Sequence, residues 1–177
     1  AGVNVIFNPE FLTEMNFLED FKNQTRIILG GTRKGTNKLR QVYSKVFPNA
    51  TIVKTGSKTA EMVKYFINSF LATKVTFANE MKIICDEIGI DYDKVVEYAT
   101  YDERLGKSHW SVPGPDGKLG FGGSCFPKDI NAIISFAKDK GISTNIMNGA
   151  WKTNLKVRPE KDWEKLKGRA ITNEEDK

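Results

Sequence analysis

The chain has 177 residues, 40% of them hydrophobic and 28% charged, with a formal net charge of +5. That length supports one large or two small domains with a real core. Two cysteines are too few for a disulfide framework, and neither a signal-peptide pattern nor a run of roughly 18 apolar residues appears, so a cytoplasmic protein that does not enter a membrane is expected. A positive balance suits a phosphate-bearing partner. The basic residues are interspersed with acidic ones, however, as in Arg158-Pro159-Glu160-Lys161-Asp162-Trp163-Glu164-Lys165, and no nucleic-acid module signature is present. Those charges read as a solvated surface, with no nucleic-acid partner.

In chain order, Val3–Phe7, Arg26–Leu29 and Thr51–Lys54 read as short strands, with a helix over Thr36–Val46 between the last two. That is the strand-helix alternation of a parallel sheet. From Ser57 to about Ile88 an apolar stripe recurs at Val63, Phe66/Ile67, Phe70/Leu71, Phe77, Met81, Ile84/Cys85 and Ile88, which predicts one helix roughly 45 Å long. Lys64, Lys74, Glu80 and Lys82 interrupt it and exclude a membrane span. A helix of this length exceeds what one small domain covers, and a two-fold helical interface is the natural way to bury the remainder. Cys85 lies on the stripe and reads as core.

A helix over Asp93–Ala99 leads into a long loop from Leu105 to Phe126, rich in glycine and proline, which holds the only histidine, His109. Loops of this length are commonly functional or disordered. It ends in Gly120-Phe121-Gly122-Gly123-Ser124-Cys125-Phe126-Pro127-Lys128-Asp129, where a cysteine and an aspartate stand four residues apart behind a glycine-rich run. Three glycines in four residues let a ligand approach main-chain N–H groups. Pro127 places Cys125 just before a helix running to Ala137, and helix starts carry the partial positive charge beside which cysteines act as nucleophiles. Taken alone, the same stretch reads more readily as a tight turn with a buried structural cysteine. Helical patterning resumes from about Thr144, and Trp151 to Lys177 reads as a helix end followed by a frayed terminus.

The decapeptide is nearly the active-site signature of the UDP-glucose/GDP-mannose dehydrogenases, and the chain resembles that family. Three further blocks match in the family's order: Asn8-Pro9-Glu10-Phe11-Leu12-Thr13-Glu14, Glu61-Met62-Val63-Lys64-Tyr65-Phe66-Ile67-Asn68, and Asp102-Glu103-Arg104-Leu105-Gly106. The resemblance runs from about Val5 to about Asn154. It implies an α/β region followed by a mostly α region: the C-terminal half of a Rossmann-like parallel sheet over 1–56, a central all-helical dimerisation and catalytic domain over 57–154, and a helix end and tail over 155–177 leading towards a UDP-binding domain. No Gly-x-Gly-x-x-Gly occurs in the sequence. The chain therefore reads as an internal fragment of such an enzyme, lacking the NAD fingerprint and inactive alone.

The resemblance also implies the chemistry, an NAD-dependent four-electron oxidation of a nucleotide sugar. Cys125 attacks the aldehyde intermediate, a second hydride leaves the thiohemiacetal, and water hydrolyses the thioester, with Asp129 and Glu10 as candidate acid/base groups. Lys64 and Asn68, four apart on the long helix, stabilise the oxyanion. Glu14 joins the catalytic set and, with Lys128, touches NAD. Phe11, Leu12, Phe121, Gly122 and Gly123 hold substrate, and Arg104 reaches substrate across a homodimer formed through the helix over 57–88. No metal is implied. The stretch from Asp102 to Lys118 resembles UDP-glucose enzymes more than GDP-mannose ones, which remain the alternative. From the residues alone, Lys64 and Asn68 are equally a wet helix face, and Glu10 and Glu14 helix-start carboxylates. A non-catalytic dimerising scaffold is the competing reading from another class.

Overall fold

The computed structural model describes residues 3–13, 16–166 and 168. Residues 1–66 and 67–177 form two compact units. In the first, β1 (Ile6–Phe7), α1 (Phe17–Lys22), β2 (Arg26–Gly31), α2 (Arg33–Val46) and β3 (Thr51–Thr55) follow one another. The sheet order is β1-β2-β3. β2 and β3 are parallel, Arg26 beside Thr51 and Gly30 beside Thr55, with α2 as the connection. β1 differs from expectation: it is two residues long and antiparallel to β2, Ile6 facing Gly31 and Phe7 facing Gly30. Val3 and Val5, expected in this strand, are exposed and lie outside the ladder.

β2 is buried on both faces at Ile27, Ile28 and Leu29, which is why it reads as an unbroken apolar run. α2 begins three residues earlier than the apolar pattern indicates, because Thr32 caps it: its side-chain oxygen accepts from the Gly35 N–H at 3.2 Å. Gly30 is required where β2 meets the start of the helix that follows β3, since a Cβ there would collide with that of Ala60.

α3 (Ser57–Glu87) is a single helix of 31 residues, about 46 Å long. α4 (Tyr92–Ala99), a 3-10 turn (Glu103–Leu105), α5 (Cys125–Asp139), α6 (Asn145–Val157) and a second 3-10 turn (Asp162–Lys165) complete the second unit. Asp91 caps α4 by accepting from the Asp93 and Lys94 N–H groups. Two clusters make the core. Ala72, Phe121, Ile130 and Ala150 are backed by Phe126 and Trp151, while Ala78, Cys85, Tyr92 and Val112 are backed by Met81 and Trp110. Among the described residues no helix is long and apolar enough to cross a membrane.

The side of α3 that faces this core is small and polar: Asn68, Ser69, Ala72, Thr76, Ala78 and Asn79 are buried. Much of the apolar stripe is not. Phe66, Phe70, Phe77, Ile84 and Ile88 are each at least half exposed. The terminal segment also differs from a frayed end as far as Leu166: Trp163 is buried and packs on Trp151 with ring centres 5.2 Å apart. The remainder of the tail, 167 and 169–177, lies outside the described residues.

Candidate functional site

Cys125 is the first residue of α5 rather than a residue preceding it, with Ser124 at the cap position. The helix therefore starts two residues before Pro127, which tolerates this because the first-turn N–H groups have no intrahelical acceptor to lose. One turn on, Asp129 is 1% exposed. Its carboxylate accepts from the Asn68 side-chain amide at 2.5 Å and is ion-paired with Lys128. A buried carboxylate needs such partners. The sequence readings of Asn68, Lys128 and Asp129 as site residues thus meet in one cluster around the start of α5, on segments 61 residues apart in the chain.

The glycine run leading to Cys125 is held by side chains that sequence reasoning passed over. The Gly120 N–H donates to Asn79 Oδ1 at 3.0 Å. The Phe121 N–H donates to Asn154 Oδ1 at 2.8 Å, and Asn154 Nδ2 donates back to the Phe121 carbonyl at 3.0 Å. The Gly123 N–H donates to Asp162 Oδ2 at 3.0 Å. Arg158 lies behind them, 2% exposed. It donates to Asp162 Oδ1 at 2.6 Å, to Asp116 Oδ2 at 2.6 Å and to the Leu119 carbonyl at 3.3 Å. The reading of the stretch from Arg158 to Lys165 as a solvated surface is corrected at this residue: two carboxylates offset the desolvation of its charge. The four-residue step from Arg158 to Asp162 was the one available signal.

Burial pushes the Asp116 and Asp162 carboxyls up, but hydrogen bonds and charge from Arg158 outweigh it and hold both below the usual carboxylate range. Gly122 is needed for this approach, because a Cβ there would strike the Arg158 guanidinium and the Asp162 carboxylate. Gly120, in the left-handed region at φ +66°, would strike the Asn154 carboxamide. The space above these two glycines is thus taken by the protein's own side chains. The Phe121 ring is 4% exposed and belongs to the core.

The start of the long loop is held by Lys74, 8% exposed, whose ammonium donates to the Leu105 carbonyl at 2.8 Å and lies 4.3 Å from the Trp110 ring centre. Burial and the nearby Lys74 charge push His109 below its ordinary value, so its ring is neutral at pH 7. Arg104 sits in the exposed 3-10 turn, its guanidinium paired with Asp102 at 2.5 Å.

In the first unit, the Lys64 ammonium donates to the Glu10 carbonyl at 2.7 Å and is paired with the Glu10 carboxylate. Phe11 lies under the Arg26 guanidinium at 4.6 Å, and Leu12 is half-buried beside it. Asn8 anchors this segment to the sheet by donating to the Ile28 carbonyl at 3.0 Å. Glu14 lies outside the described residues. No group of three or more potential metal ligands occurs among the described residues.

The family model described as the UDP-glucose/GDP-mannose dehydrogenase family, central domain, matches residues 58–156. The chain belongs to that family. A UDP-glucose 6-dehydrogenase of Rickettsia bellii is 43% identical over 158 residues, 88% of this chain and 35% of the relative. The solved UDP-glucose dehydrogenase of the hyperthermophilic archaeon Pyrobaculum islandicum is 37% identical with a TM-score of 0.79, covering 86% of this chain and 34% of that one. The GDP-mannose dehydrogenase of Pseudomonas aeruginosa is 31% identical with a TM-score of 0.53, over 86% and 34%. The chain spans about a third of the length of these relatives. Mostly helical with one small sheet, it has the architecture of part of a dehydrogenase of this family.

Proposed function

We propose that this chain carries the thiol centre of a nucleotide-sugar dehydrogenase that oxidises UDP-glucose to UDP-glucuronate through a covalent Cys125 intermediate. The observation that carries the reading is Cys125 opening α5, with the buried Asp129 one turn on, anchored by Asn68 and Lys128. UDP-glucose is preferred over GDP-mannose because identity is higher to relatives named for the former, 43% and 37% against 31%.

Cys125 Sγ adds to the C6 aldehyde; the C–S bond forms, and the carbonyl oxygen takes a proton to become the thiohemiacetal hydroxyl. Given a two-electron acceptor of the nicotinamide class, transfer of a hydride from that carbon to the acceptor and loss of the hydroxyl proton would give the thioester. Water adds, the C–S bond breaks, the thiol is regenerated and a carboxylate leaves. Asp129 or Glu10 moves the proton of the attacking water, while Asn68 and Lys64 donate to the oxygen that becomes negative. Phe11, Leu12 and Arg104 are assigned to substrate; Phe121, Gly122 and Gly123, expected to hold it too, are not, since Asn154 takes both Phe121 backbone groups, Asp162 takes the Gly123 N–H, and Arg158 with Asp162 fills the space over Gly122.

NAD is the hydride acceptor implied by the family, with Glu14 and Lys128 as its contacts in this chain. A dinucleotide pyrophosphate sits on a glycine turn between a strand and a helix start. At the glycine-bearing turn between β2 and α2, Ile6 occupies the space over Gly31 and Gly35, and Thr32 takes the Gly35 N–H. That turn does not fit the cofactor.

The exposed Phe66, Phe70, Phe77, Ile84 and Ile88 along α3 support a homodimer through the helix over 57–88, and two free cysteines support a cytoplasmic setting. The domain limits of 1–56, 57–154 and 155–177 are retained as part of this proposal. The test is to incubate the chain with the UDP-sugar 6-aldehyde and map adducts by mass spectrometry. A Cys125 adduct that vanishes in Cys125→Ser is expected, and its absence in the unaltered chain overturns the reading.

A further inference from the structure

We propose that Asn154 and the Arg158–Asp162 ion pair are positioning residues, which set the conformation of the 120–124 loop that delivers Cys125. The proposal rests on Cys125 being the nucleophile. A run of three glycines in four residues has no side chains with which to order itself and is the most conformationally free kind of backbone. Here the N–H groups at Gly120, Phe121 and Gly123 are each committed to a side chain from a different segment: Asn79 of α3, Asn154 of α6, and Asp162 of the second 3-10 turn.

Asn154 is fully buried and meets Phe121 with both ends of its carboxamide, as a neighbouring strand would. Its amide is therefore matched in donor and acceptor to one residue. Asp162 holds Gly123, two residues before the thiol, and is itself held by Arg158, whose other bonds to Asp116 and the Leu119 carbonyl brace the segment entering the loop. Gly120 and Gly122 admit these groups to the backbone, and any side chain there would displace them. The glycines thus serve the hold on the loop. Nucleophilic addition needs its reacting atoms placed closely, so a loosened loop lowers the rate of attack even where the thiol is intact.

Asp162→Ala, Asp162→Asn and Asn154→Ala test this in the chain as described. Two measurements are made on each: hydrogen exchange of the Gly123 amide, and the rate at which Cys125 forms its adduct with the UDP-sugar 6-aldehyde. Asp162→Ala is expected to speed Gly123 exchange about tenfold and slow adduct formation about tenfold. Asp162→Asn offers one acceptor oxygen where the carboxylate used two, so it serves Gly123 or Arg158 but turns its amide N–H groups on the other donor, and it is expected to recover both readouts only in part. Asn154→Ala leaves the Phe121 N–H and carbonyl unpaired; where it does not fold, the Asp162 pair decides alone. Unchanged exchange in Asp162→Ala, or faster exchange with an unchanged adduct rate, overturns the proposal. If the unaltered chain forms no adduct, the thiol reading fails, and Cys125 alkylation by iodoacetamide replaces the adduct rate, read against the same two outcomes.

Discussion

Replacing Arg158 with methionine keeps most of the aliphatic stem and deletes a guanidinium that is 2% exposed. Three hydrogen bonds go with it, two of them charged, and Asp116 and Asp162 are left facing each other across the vacated site. Removing one partner of a buried pair costs about 3–5 kcal/mol. The two carboxylates here are 46% and 27% exposed in their side chains, so water relieves part of their repulsion and the lower end, about 3 kcal/mol, applies. For a chain of this size that is a fall of about 6–12 °C in Tm. Thermal unfolding at pH 7, followed by far-ultraviolet circular dichroism, measures it. Lys118→Ala, which breaks the exposed pair with Glu160, is the control and is expected to melt as the unaltered chain does. A Tm shift in Arg158→Met no larger than the control's would refute the idea that this charge is integrated into the core of the second unit.

Three other outcomes are expected. Asp116 and Asp162 are held below their ordinary values, so their contribution is fully present above the usual carboxylate range and is lost as pH falls through the lowered folded-state values; urea midpoints between pH 7 and pH 3 should show an acid limb that flattens in Arg158→Met. Tyr92 donates to the Trp110 carbonyl at 2.7 Å, and burial with the nearby Asp93 charge pushes its phenol up to about 12. Tyr92→Phe should cost about 1 kcal/mol in urea unfolding and remove the last phenol to ionise in an ultraviolet pH titration. Phe70→Glu on the exposed face of α3 should leave the chain monomeric in sedimentation velocity; an unaltered dimer would place the contact elsewhere.

The sequence by itself determined the elements whose signals are local. The length of α3, the helices expected over Asp93–Ala99 and from about Thr144, the buried β2 and the long loop after Leu105 follow from apolar period, glycine and proline placement, all properties of neighbouring residues. The family was legible for the same reason, since the motif around Cys125 is contiguous, and that motif made Cys125 the candidate nucleophile. Tertiary structure alone decided which groups meet. β1 pairs antiparallel with β2, Ile6 with Gly31 and Phe7 with Gly30, a direction that no local pattern in either segment states. Large apolar residues of α3 are exposed while Asn68 and Asn79 are buried; the Asp129 carboxylate and the Gly120 N–H need polar partners that no hydrophobic period anticipates. Arg158 reads as a surface charge until two carboxylates from separate segments surround it. Hydrophobic period reports what a residue avoids; the partner that makes a buried charge or amide tolerable is supplied by distant chain, and only the folded arrangement brings the two together.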